Sequence, residues 1–206
     1  MEKEKDFYRR LSEKGVSRRD FMKFCTALTA TMGLSATWVP KVAEVFAAPK
    51  QRPPVVWLHF AECTGCSEAV LRTMYPWIDE VVLDIISLEY HETVMAAAGH
   101  QAEDALAAAV KKYKGKFVCV VEGGIATKYD GAYGKIGGRT FLQIANDVCK
   151  QAAATICLGT CACYGGIQKA APNPGGYKGV GEAIGIKTVN IAGCPPNPVN
   201  FVGTVV

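Results

Sequence analysis

Nine cysteines stand among 206 residues, and their surroundings divide them. Cys63-Thr-Gly-Cys66 is a Cys-x-x-Cys turn, Cys161 and Cys163 lie in Gly159-Thr-Cys-Ala-Cys-Tyr-Gly-Gly166, and Cys194 follows Gly193 and precedes Pro-Pro-Asn-Pro198. Four thiolates from such loops, Cys63, Cys66, Cys161 and Cys194, form the usual ligand set of a [4Fe–4S] cluster. The Cys-x-x-Cys spacing lets two sulfurs reach one metal centre, and Gly65 removes a side chain from that tight turn. A redox pair, a zinc site or disulfides are also compatible with these residues, and spacing alone leaves them open. Cys119, Cys149 and Cys157 fall within apolar segments and read as small buried hydrophobes. Cys163, two residues from Cys161, is expected to face away.

Strand-like and helix-like segments alternate around these loops. Apolar runs predict strands at Pro54–Phe60, Val81–Leu88, Lys116–Val121, Thr155–Leu158 and Lys187–Ala192. Helices are predicted over Ser67–Met74, over Gln101–Tyr113 with apolar residues on one face, and from Phe141 towards Ala152. The glycine-rich stretches Glu122–Gly138 and Gly165–Gly181 are predicted loops. Five strands with helical crossovers imply an α/β fold, a flavodoxin-like doubly wound parallel sheet. Such sheets bind ligands beyond the carboxyl ends of their strands. The expected cluster cysteines all follow strand ends, and the helix near Ser67 would turn its positive end towards them and favour thiolate.

The N-terminus has a different character. Ser17-Arg18-Arg19-Asp20-Phe21-Met22-Lys23 precedes an uncharged stretch from Phe24 to Val39, and small residues close it at Ala47-Ala48. This is the order of an export signal, and the arginine pair matches the bacterial twin-arginine type. Residues 1–47 are the expected signal peptide, with cleavage after Ala47. Export of an already folded, cysteine-rich chain fits a cofactor loaded in the cytoplasm, whereas unfolded export would favour disulfides. Residues 1–47 hold nine Lys/Arg against six Asp/Glu, and the remainder fourteen against thirteen. A near-neutral body excludes a nucleic-acid footprint. No uncharged run reaches the roughly 20 residues of a membrane span.

Together, Glu62-Cys-Thr-Gly-Cys-Ser-Glu68, Leu88–Glu103, Val121-Glu-Gly-Gly-Ile-Ala126, Gly159-Thr-Cys-Ala162 and Ala192-Gly-Cys-Pro-Pro-Asn-Pro-Val-Asn-Phe201 closely resemble the small subunit of exported, uptake-type [NiFe] hydrogenases. The resemblance covers essentially the whole chain and includes the twin-arginine leader. It implies a flavodoxin-like domain over 48–206 holding the proximal [4Fe–4S] cluster on Cys63, Cys66, Cys161 and Cys194. It also implies a Ni–Fe centre on a partner large subunit, with electrons passing through this chain towards a cytochrome subunit or soluble cytochrome. No catalytic residue is expected here, though Glu62 could relay protons and Glu68 could support its helix start. The Glu122-Gly-Gly turn is expected to surround the cluster or meet the large subunit, and His59, His91 and His100 to be structural. Oxygen-tolerant members carry extra cysteines at the positions of Gly65 and Gly166, so the resemblance implies the oxygen-sensitive type. The family continues into a second domain with further Fe–S clusters, so a longer parent chain is expected. The periplasm, or the periplasmic face of the membrane, is the implied location. Two alternatives carry less of the pattern. Complex I-like cluster subunits use adjacent cysteines and need no export signal; an exported zinc- or disulfide-stapled domain would carry no cluster.

Overall fold

The computed structural model describes residues 2–13, 15–31, 33–47 and 52–205; Ala48, the residue after the expected cleavage point, lies outside the described residues. The chain divides into two compact units, Met1–Gln51 and Arg52–Val206.

The first unit contains helices α1 (Glu2–Glu13), α2 (Arg18–Thr31) and α3 (Val39–Ala47). Helix α2 starts at the arginine pair. Ser17 Oγ accepts from the Asp20 backbone N–H and donates to the Asp20 carboxylate. Phe21, Cys25 and Thr29 repeat every fourth residue and form its buried stripe. Among the described residues, no helix is long and apolar enough to cross a membrane.

The second unit is built on five parallel strands: β1 (Pro54–His59), β2 (Ser87–His91), β3 (Val118–Glu122), β4 (Ala154–Leu158) and β5 (Val189–Ile191). Their spatial order is β2-β1-β3-β4-β5, the flavodoxin order anticipated for a doubly wound sheet. Val55 to Leu58 in β1 and Val120 and Val121 in β3 are fully or almost fully buried, because helices cover both sheet faces. Helices α4 (Gly65–Leu71), α5 (His100–Tyr113), α6 (Phe141–Cys149), α7 (Thr160–Tyr164), α8 (Val180–Ile184) and α9 (Pro198–Val205) complete the unit. One core joins Leu58, Leu106, Phe117, Ile144 and Val148; the opposite face joins Trp57, Val70, Ile86, Leu158 and Phe201. Helix α6 begins at a reciprocal cap in which Gln143 N–H donates to Thr140 Oγ1 and Thr140 N–H donates to Gln143 Oε1.

The second strand departs from expectation. Val81–Ile85 is a π-helical turn, and the strand is Ser87–His91. Its β-branched run suggested a strand, but the turn carries Val81 and Ile86 into the core while Leu83 remains 63% exposed. Ile86 N–H donates to Val81 O, and Trp77 N–H donates to Glu80 Oε2 at the turn's start. Packing therefore overrides strand propensity here. Glu122 also differs from its expected place in a loop: it is the last, fully buried residue of β3.

Candidate metal centre

The cysteine loops converge at the carboxyl edge of the sheet. Cys63 and Cys66 follow β1, Cys161 follows β4, and Cys194 follows β5. Gly159 N–H donates to Ile191 O, and Thr160 N–H to Gly193 O. Gly193 N–H in turn donates to Thr160 Oγ1. These bonds tie the Cys161 loop to the Cys194 loop. The Gln168 side chain donates to Ala61 O and so anchors the segment after Cys161 beside the first cysteine turn. Cys66 and Cys161 are half-buried, and Cys63 and Cys194 are exposed.

Glycines make room for the sulfurs. A Cβ on Gly159 would stand 2.4 Å from Cys66 Sγ, and one on Gly166 would stand 2.4 Å from Cys161 Sγ. A Cβ on Gly65 would lie 3.3 Å from Cys63 Sγ. Gly159 and Gly166 also have φ values of +89° and +58°, a region costly for residues with side chains. The free space around these thiols is therefore a property of the backbone.

Their electrostatics favour a cationic occupant. Burial pushes the Cys66 thiol up to about 12; the Glu122 carboxylate and the thiols of Cys161, Cys63 and Cys194 push in the same direction. The expected helix-end assistance to thiolate is outweighed at Cys66. Burial raises Cys161 too, opposed by hydrogen bonds from the Gln168 side chain and the Ile167 backbone. Burial disfavours thiolate at Cys66 and Cys161, and iron bound among the thiols would offset that cost with its positive charge. The four thiols, the glycine-made space and the donors aimed at sulfur fit an iron–sulfur cluster.

The other cysteines lie elsewhere. Cys163 is buried, and its thiol donates to Cys157 O at 3.3 Å. Cys119 and Cys149 meet at 3.7 Å within the core, and Cys157 is fully buried.

A polar network absent from the spacing argument backs the site. Trp57 Nε1–H donates to Glu122 Oε1 at 2.9 Å, and Ser67 Oγ donates to the same oxygen at 2.6 Å. His91 Nε2 lies 3.2 Å from Ser67 Oγ, and Thr93 Oγ1 lies 3.2 Å from His91 Nδ1. With the Ser67 proton directed to Glu122, Nε2 carries the imidazole proton. Burial depresses His59 and His91 to about 4, so both rings are neutral near pH 7. Glu62 Oε1 lies 3.3 Å from His59 Nδ1 and accepts from Thr64 Oγ1. His59 Nε2, Glu62 Oε2 and Glu122 Oε2 are buried without a hydrogen-bond partner. Donor atoms of these three residues lie within 4.8 Å of one another. Burial raises the Glu62 and Glu122 pKa values, and it raises neighbouring Glu92 to about 7. Glu68 lies in the first turn of α4 and pairs with Arg72 at 3.2 Å. His100 is exposed at the start of α5. The buried Trp was legible as a strand residue and the Glu as the start of a loop; their meeting required the parallel register of β1 and β3.

Residues 63–206 match the family described as NADH ubiquinone oxidoreductase, 20 Kd subunit. The chain belongs to this family. It is 54% identical over 201 residues to the periplasmic [NiFe] hydrogenase small subunit of Solidesulfovibrio fructosivorans, covering 98% of this chain and 63% of that protein. It is 47% identical over 192 residues to the hydrogenase-2 small chain of Escherichia coli K12, covering 93% and 51%. A solved Ni-Fe-Se hydrogenase from Desulfomicrobium baculatum matches with a TM-score of 0.71 and 37% identity, over 75% of this chain and 60% of that one. These matches bear out the resemblance to [NiFe] hydrogenase small subunits. The chain spans between 51% and 63% of the length of these two curated relatives.

Proposed function

We propose that this chain is the electron-transfer part of a [NiFe] hydrogenase, holding a proximal [4Fe–4S] cluster on Cys63, Cys66, Cys161 and Cys194. When bound, the cluster would supply a one-electron relay between a large-subunit Ni–Fe centre and an acceptor of the cytochrome type. The chain's own residues hold four sulfurs, shield two of them from water and direct donors from Ile167 and Gln168 to the Cys161 sulfur. Such burial and hydrogen bonding set a cluster's potential. The carrying observation is the convergence of three cysteine loops on space that Gly159 and Gly166 keep free. A groove of about 700 Å³ lined by Gly65, Arg72, Pro195 and Asn197 provides an open approach to the first and last loops.

Glu62 is our candidate for moving protons beside this site: one oxygen meets His59 and Thr64, and the other has no partner. The Ser17-Arg18-Arg19 leader would send the loaded protein to the periplasm by the twin-arginine route, and the Gly65 and Gly166 positions support the oxygen-sensitive type.

The test is iron, acid-labile sulfide and nickel analysis of the complex purified without oxygen. Replacing Cys63, Cys66, Cys161 or Cys194 singly by Ser should remove iron from this site, whereas Cys163→Ser should retain the wild-type content. One zinc per chain, or Cys63–Cys66 disulfides, would refute the cluster. A full cluster without nickel in the complex would favour the complex I-like electron carrier that the family description also encompasses.

A further inference from the structure

Glu122 occupies an unusual position for a carboxylate. It is 0% exposed at the end of the central strand β3, and among the described residues it forms no ion pair with Lys or Arg. Burial of a carboxylate without a cation is costly, so its two close donors matter. Trp57, from neighbouring β1, and Ser67, from α4, both donate to Oε1, and Oε2 has no hydrogen-bond partner. Ser67 directly follows Cys66 in the chain, and its 2.6 Å bond ties the helix that carries Cys66 to β3. His91, packed against Trp57 with ring centroids 4.9 Å apart, supports Ser67 from the other side. Because Ser67 is the chain neighbour of Cys66, the carboxylate that accepts its hydroxyl proton stands close behind that ligand's backbone.

We propose that Glu122 is the positioning residue of the four-cysteine site, clamping the Cys66 helix through Ser67 and placing a fixed negative charge behind the Cys66 sulfur. This rests on the cluster reading above and extends it to a residue that holds no iron. The charge makes addition of an electron to the cluster less favourable, so removing it should raise the cluster's midpoint potential. The clamp fixes the Cys66 sulfur by joining α4, β1 and β3, three elements that meet only in the folded chain.

The decisive experiment is an EPR-monitored redox titration of the intact, anaerobically purified complex carrying Glu122→Gln. Gln keeps an oxygen that accepts from Trp57 and Ser67 but removes the charge. The proposal expects wild-type iron content and a tenfold or greater shift of the proximal cluster's equilibrium towards the reduced form, equivalent to about +59 mV for a one-electron couple. Ser67→Ala keeps the charge and removes one clamp donor; it should alter the EPR line shape of the same cluster. A wild-type potential in Glu122→Gln overturns the charge assignment, and a wild-type line shape in Ser67→Ala overturns the clamp. Should Glu122→Gln bind no iron, Glu122→Asp decides: restored iron with an altered line shape supports the proposal, and no iron overturns it in favour of a purely structural role. If the wild-type complex itself lacks four cysteine-held irons at this site, the cluster reading fails first, and that result is separable from those above.

Discussion

At Gly159, the absence of one carbon decides what a neighbouring sulfur can do. An added Cβ would stand 2.4 Å from Cys66 Sγ, inside any tolerable contact, and the backbone at φ +89° adds strain. We expect Gly159→Ala to lower the iron held by the four cysteines severely, read as iron and sulfide per complex. Gly203→Ala, whose Cβ would meet nothing within 4 Å, should leave that content unchanged and serves as the comparison. Equal iron in both variants would mean that the glycine-made space is not where the cluster sits. Cys161 shows the complementary device: its sulfur is partly desolvated but receives two donors, one from the backbone just beyond its helix. Residue type alone marks both positions as cysteine or glycine; distance gives each its role.

Elements determine how firmly these residues stand. Helix α4 is only seven residues long, and its end is fixed by the Ser67 bond to β3 as well as by the apolar burial of Val70. The buried imidazoles give the same region a pH dependence. His91 titrates near 4 in the fold, below its ordinary 6.5, because burial disfavours the charged ring. Between those values the unfolded chain binds more protons than the folded one, so this contribution destabilises the fold as pH falls from about 6.5 to about 4. Its size is about 3 kcal/mol at the acid end of that window. His91→Gln cannot take up that proton, so its acid unfolding midpoint should lie at lower pH relative to its stability at pH 7. Identical acid profiles, followed by tryptophan fluorescence after correction for stability at pH 7, would show that His91 takes up its proton alike in the folded and unfolded chain. Away from the site, the Thr140–Gln143 cap gives α6 a local start that its sequence alone would favour.

On the scale of the whole second unit, the five-stranded sheet brings loops separated by more than a hundred residues to one edge. Its lower layer closes against α9, where Phe201 is fully buried and its ring lies 5.1 Å from that of Trp57. That contact links the segment following the last cysteine loop to the strand preceding the first. Phe201→Ala should cost about 3–5 kcal/mol through lost burial and the cavity left behind. The measurement is denaturant unfolding of the complex, with iron release followed in parallel. A loss below about 1 kcal/mol would show that this layer contributes little to stability. Because Trp57 also donates to Glu122, the variant should release iron earlier in the titration than wild type.

Much of this organisation is readable without coordinates because local signals agree. Alternating apolar segments anticipate the parallel sheet, and the position of Cys63, Cys66, Cys161 and Cys194 just past the ends of the first, fourth and fifth strands anticipates one shared edge. Their place in loops separates them from Cys119, Cys149 and Cys157 within apolar segments, and the resemblance to a known cysteine pattern then names them as the ligand set. Other features resisted because their causes are long-range. The run Val81–Ile85 has strand composition but forms a π-turn, which buries Val81 and delivers Ile86 to the core. Glu122 reads as the start of a glycine-rich loop, whereas strand register places it beside Trp57 and Ser67. Residue types determined which atoms could hold a metal or a charge; the fold decided which of them meet, because contact, desolvation and hydrogen bonding depend on three-dimensional distance rather than separation along the chain.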